Sequence, residues 1–198
     1  MVSKSAGFGK PNGFENSELD LRTLTFRQHG LTAAVIDATI DATIDSFAMT
    51  HDNPLLGSWQ LVRWDITYAD GRPPSLPYGD QATGLIVYTG DGFMSACIAA
   101  GGRAPMSSAS VRSAPAAERL AAFESYFQYA GRYELRRPAS GLQVVHRVSH
   151  ALNPNFVGSE QVRNVAFDAD GTLTLSASDT VPGSKVARHH RLMWKRAA

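Results

Sequence analysis

The chain has 198 residues, 43% of them hydrophobic and 19% charged, with 19 Lys+Arg against 18 Asp+Glu for a formal net charge of +1. That composition sustains a packed core and excludes wholesale disorder. The near-neutral charge carries no footprint for nucleic acid, and one cysteine, Cys97, excludes an intramolecular disulfide framework and a cysteine-rich zinc module.

No apolar run reaches the roughly 18 residues that a membrane-spanning helix needs. The start, MVSKSAGFGKPNG, lacks the apolar segment of a secretory signal. A soluble, cytoplasmic protein is expected.

Residues 1–50 read as a poorly ordered N-terminal extension. Residues 1–20 are rich in Gly, Ser, Asn and Lys without periodicity. A weak helix is possible over 31–48, where Ala33, Ile36, Ile40 and Ile44 fall three or four apart through a short repeat, Asp37-Ala-Thr-Ile and Asp41-Ala-Thr-Ile. Its β-branched residues make it poor on its own.

From His51 the texture changes to short strand-like runs, and 51–198 reads as one barrel domain. Strands are predicted over Ser58–Tyr68, Thr83–Thr89 and Phe93–Ala99. The loop Pro73–Gln81 between the first two holds Pro73, Pro74 and Pro77 and cannot be a central strand. Gly90-Asp91-Gly92 is a hairpin turn. After a loop, Pro115–Phe127 has helical spacing, with Pro at its start and Leu120, Phe123 and Phe127 on one side. Five more strands follow: Tyr129–Arg137, Leu142–Leu152, Ser159–Phe167, Thr172–Ser176 and Val186–Lys195.

Short turns between neighbours predict an antiparallel meander. Eight strands with a helix between the third and fourth suit a closed up-and-down barrel, which removes its own edges. An open β-sandwich is the competing architecture.

Gly57-Ser58-Trp59 at the start of the first strand resembles the Gly-x-Trp signature of lipocalins. With it go Pro77-Tyr78-Gly79, the run Gly84–Ser95, Tyr129–Tyr133, Asn153–Gly158 and Leu192–Arg196. Together these are similar to the bacterial and fungal lipocalin-like domain family over about residues 54–197. The resemblance implies a ligand-holding calyx whose closed end is plugged by Trp59 under a C-terminal arginine, either Arg191 or Arg196. It supplies no reaction. The chain departs from secreted lipocalins in having no disulfide pair and in the position of its helix.

Strand alternation indicates which side chains meet. Tyr133 is expected to point inward, away from the charged set Arg132, Glu134 and Arg136, and Val144, His146, Val148 and His150 form the better interior face of the next strand. A turn centred between Ala139 and Ser140 sets Tyr133 opposite His146. A loop centred between Asn155 and Phe156 sets His150 opposite Gln161 and Val148 opposite Arg163. Tyr133, His146, His150, Gln161 and Arg163 then line one wall, and Trp59, Tyr88 and Phe93 are further candidate ligand contacts; Trp64 is also considered for the pocket.

His146, Tyr133 and Arg163 are candidate catalytic groups. A histidine exchanges protons near neutral pH, a tyrosine polarises a carbonyl and an arginine holds a carboxylate or enolate. The favoured reading is binding of a small hydrophobic or amphipathic molecule, of the kind found in secondary metabolism. The alternative is a cofactor-independent isomerase, cyclase or lyase in the same cavity, and an interaction module is a third class. No cofactor is expected. No metal site is expected, because His146 and His150 lie about 13 Å apart along a strand. His189 and His190 point to opposite faces and read as surface residues, and Cys97 as a small buried hydrophobe.

Overall fold

The computed structural model describes residues 53–197; the expected extension and its weak helix over 31–48 fall outside them. Eight strands close into one antiparallel barrel in sequence order. They are β1 (Gly57–Tyr68), β2 (Thr83–Tyr88), β3 (Phe93–Ala99), β4 (Tyr126–Arg136), β5 (Gln143–Ala151), β6 (Glu160–Phe167), β7 (Leu173–Thr180) and β8 (Ala187–Arg196). β8 returns to pair with β1, so no edge is left unpaired. A single helix, α1 (Ala116–Glu124), lies between β3 and β4, and a 3-10 turn, Pro154–Phe156, lies between β5 and β6.

Period-2 alternation sorts the side chains. On β3, Met94, Ala96 and Ile98 are buried, while Phe93 and Ser95 are exposed. The interior cluster joins Trp59, Ile86, Tyr88, Met94, Ile98, Tyr129, Val144, Val148, Leu173, Leu175 and Trp194. Burying an aliphatic side chain of this kind contributes about 1.5–3 kcal/mol. The outer face of β4 and β5 is ionic: Glu134 pairs with Arg136 and Arg147, and Arg147 also with Glu160.

Two irregularities set the inner faces. In β1 the register with β8 shifts between Leu61 and Arg63, which brings Trp64 and Ile66 to the same side as Leu61. In the β4–β5 ladder Ala130 faces His150 but Gly131 faces Val148, leaving Ser149 as the extra residue. Gly131 is required there, because a Cβ at that position would lie 1.9 Å from the Arg147 carbonyl oxygen.

The helix is shorter than Pro115–Phe127. It ends at Glu124, and β4 begins at Tyr126. It buries no residue, and Leu120 and Phe123 stay exposed, so no packing supports a further turn. β7 runs on to Thr180, four residues beyond the predicted Ser176, because β8 pairs with it as far as Ala187.

Candidate functional site

The barrel encloses a cavity of about 630 Å³ that opens at one end. Pro77 and Tyr78 of the β1–β2 loop, Phe127 and Phe156 stand around it. Trp64 supplies an aromatic wall, stacked on Tyr78 with ring centroids 5.5 Å apart and tilted to Phe127 at 5.9 Å. Ile66, Ile98, Leu175 and Leu192 supply apolar wall, and Glu124, Glu160, Asp179 and Arg188 stand among its polar groups.

The opposite end is shut. Trp59, at the start of β1, is 1% exposed and gives its indole N–H to the Leu55 carbonyl at 2.8 Å. The Arg196 guanidinium lies over its ring at 4.4 Å and donates to the Leu56 carbonyl at 2.7 Å. Arg191 is on the outer face instead, bonded to Asp65. Trp59 is therefore a plug and not a cavity contact, which corrects its expected placement among the ligand contacts.

Gly-x-Trp, the closed eight-stranded barrel and the arginine-capped tryptophan point the same way as the family comparison, in which the model of the lipocalin-like domain matches residues 56–197. The chain belongs to the lipocalin-like domain family. No curated protein matches the chain.

Within this lipocalin-like barrel the candidate residues separate into three groups. Gln161 and Arg163 line the cavity. Arg163 gives Nη1 to its neighbour's carbonyl, Val162, at 2.8 Å and Nη2 to Gln161 Oε1 at 3.2 Å. Its charge reaches inward, since it opposes protonation of His146 and His190 and favours ionisation of Tyr88 and Tyr129.

His146 and Tyr88 lie deeper. His146 is 1% exposed and held at both ring nitrogens, Nε2 2.9 Å from the Tyr88 hydroxyl and Nδ1 2.7 Å from the Tyr129 hydroxyl. Burial, with the Arg163 charge second, depresses its pKa to about 3, so the imidazole is neutral at pH 7. Burial also pushes both tyrosine hydroxyls upward.

The third group lies away from the cavity. Tyr133 pairs with His146 across β4 and β5 as the tight turn dictates. Its hydroxyl, however, donates to the Thr89 carbonyl at 2.8 Å and accepts from Asn53 Nδ2 at 2.7 Å. The trio Tyr133, His146 and Arg163 does not converge: the tyrosines on His146 are Tyr88 and Tyr129. Phe93 is 44% exposed on the outer face, with the Arg132 guanidinium 4.4 Å over its ring, because the inner face of β3 belongs to Met94, Ala96 and Ile98. His150 is also exposed, bonded to Ser149.

The bulge at Ser149 and the wide β5–β6 loop explain His150. Val148 bonds Ser159 through its N–H and Gly158 through its carbonyl, so Gln161 pairs with His146 and Arg163 with Val144. His150 has run past the end of β6. The expected pairs His150–Gln161 and Val148–Arg163 are thus replaced.

Several cavity residues lay outside the expected set, Tyr129 and His190 among them. Tyr129 shares the parity of Gly131 and Tyr133, which was the available signal. His190 shares that of Trp194 and Leu192; it lines the cavity, 3.3 Å from Asp179 through Nε2, which corrects its reading as a surface residue. Tyr78 comes from the proline-rich loop. Cys97 is only half-buried, on the outer face. Among the described residues no cluster of His, Cys, Asp or Glu could hold a metal ion, and no helix is long and apolar enough to cross a membrane.

Proposed function

We propose that the protein binds a small hydrophobic or amphipathic molecule in the barrel cavity. The observation that carries this reading is a cavity of about 630 Å³, open at one end and walled by Trp64, Ile66, Ile98, Leu175 and Leu192. Sites for small molecules are of this size and combine apolar walls with convergent polar groups. Trp59 and Arg196 close the far end, so the ligand enters and leaves past Tyr78, Phe127 and Phe156. Binding without conversion fits the site better than an isomerase, cyclase or lyase does. His146 has both nitrogens engaged by tyrosines, and the Tyr133 hydroxyl is spent on Asn53 and Thr89.

The test is a fluorescence titration with 1-aminoanthracene, a neutral aromatic probe that brightens in apolar surroundings. Wild type is expected to bind it saturably. Ala177→Trp, which places an indole on the cavity wall, is expected to weaken uptake at least tenfold with the fold intact by far-UV circular dichroism. A wild type that takes up no probe, or an Ala177→Trp variant that binds as well as wild type, sinks the reading.

A further inference from the structure

The hydrogen bonds of His146 have a consequence for the cavity. A neutral imidazole carries one N–H, so it donates to one tyrosine and accepts from the other. If Nε2 held the proton, it would donate to Tyr88, and the Tyr88 hydroxyl hydrogen would then have no acceptor. Tyr88 is 1% exposed and does not line the cavity, and His146 is its hydroxyl's partner. Leaving a buried donor unpaired costs about 1–3 kcal/mol. With the proton on Nδ1, Tyr88 donates to Nε2, Nδ1–H donates to Tyr129, and the Tyr129 hydroxyl hydrogen is the one left over. Tyr129 borders the cavity, where a ligand can accept it. Contact with the cavity, which Tyr129 has and Tyr88 lacks, therefore favours the Nδ1–H form and leaves Tyr129 as the donor free for a ligand.

Three other wall groups, Arg163, Trp64 and Trp194, are also donors that face the cavity with donor capacity unmet. Arg163 has five N–H donors by its chemistry, two of which are accounted for by Val162 and Gln161. Among the described residues no carboxylate forms an ion pair with it: Asp179 is taken by Arg188 and His190, and Glu160 by Arg147. The indole N–H groups of Trp64 and Trp194, both wall residues, are buried without an acceptor. Among the described residues, the wall thus has two indole donors without an acceptor and one arginine that no carboxylate pairs, although Glu124, Glu160 and Asp179 also border the cavity. Water is a poor substitute for a counter-ion in such surroundings, and a charge-assisted bond to an anion is stronger there than at the surface.

We infer that the ligand carries an anionic oxygen group, of which a carboxylate is the simplest, that seats on Arg163 and the Tyr129 hydroxyl while its apolar body lies against Trp64, Ile98 and Leu175. The inference rests on the binding reading and narrows it to an amphipathic acid. The acid is held inside the barrel, on Arg163 of β6.

Two probes of nearly one shape test it: anthracene-9-carboxylate and anthracene-9-carboxamide, which differ in charge at pH 7. Wild type is expected to bind the carboxylate about tenfold or more tightly than the carboxamide. Arg163→Gln is expected to bring the two affinities within about twofold, Arg163→Lys to keep part of the preference, and Tyr129→Phe to reduce it several-fold. Equal affinities in wild type overturn the inference while leaving the cavity reading standing. So does a carboxylate preference that survives unreduced in a folded Arg163→Gln. Failure of wild type to bind either probe or 1-aminoanthracene overturns both. The wild-type comparison needs no variant, so a poorly folding substitution does not rescue the idea.

Discussion

The Arg196 guanidinium lies 4.4 Å from the centroid of the Trp59 ring and closes the barrel at the end opposite the cavity mouth. The two residues come from the first and last strands, paired directly in the ladder. The contact therefore ties β1 to β8 where closure of the barrel is completed. Arg196 also bonds the Leu56 and Pro54 carbonyls, at 2.7 and 3.2 Å.

Removing this clasp is expected to destabilise the protein through lost cation–π attraction and lost hydrogen bonds. Arg196→Ala should cost about 1–2 kcal/mol in urea unfolding, while Arg191→Ala should not release the Trp59 ring. Near-ultraviolet circular dichroism, which reports the packing of tryptophan, should change in the first variant. Equal effects of the two arginines on that signal would show that the clasp is misassigned.

Gly131 makes a sharper claim. A Cβ there meets backbone at 1.9 Å, and backbone cannot swing aside as a side chain does. Gly131→Ala is expected to cost about 3 kcal/mol or more, at the upper end of overpacking effects. Gly90→Ala, in a turn where an added Cβ meets nothing within 4 Å, should stay within about 0.5 kcal/mol. Thermal melts of the two variants decide it; a Gly131→Ala protein as stable as wild type would mean the bulge is not closed as described.

His146 sets a pH dependence. Its pKa is about 3 in the fold and near the ordinary 6.5 in the unfolded chain, with burial the main cause and the Arg163 charge second. The unfolded chain thus binds a proton between those values that the fold refuses, so stability is complete above about pH 6.5 and is lost as pH falls toward 3. The loss attributable to this residue is on the order of 1 kcal/mol per pH unit inside that window. His190, which burial also depresses, contributes in the same direction. A His146→Gln variant is expected to show a shallower fall of unfolding free energy between pH 6 and 4. Side-chain ¹⁵N spectra of wild type at pH 7 should show His146 Nδ1 protonated and Nε2 bare. A protonated Nε2 would remove Tyr129 as the donor to the cavity.

The sequence by itself determined the strands and their order and favoured a barrel over a sandwich; closure is shown by the pairing of β8 with β1. Alternation of period two, the Gly90-Asp91-Gly92 turn and prolines confined to loops are local properties, and each acts within a few residues. The pairing of Tyr133 with His146 was legible for the same reason: the turn between β4 and β5 is short, and a short turn fixes register. Only the tertiary structure decided the site. The bulge at Ser149 depends on Gly131 meeting the Arg147 carbonyl across two strands. The loop after β5 is wide enough that its centre does not give the register, and so His150 lies outside the barrel while Arg163 faces in. The tyrosines that hold His146 come from β2 and β4, and Tyr88 is 58 positions away. Which hydroxyl reaches a ring nitrogen is set by the curvature that closing eight strands imposes, and no local pattern in the chain encodes it.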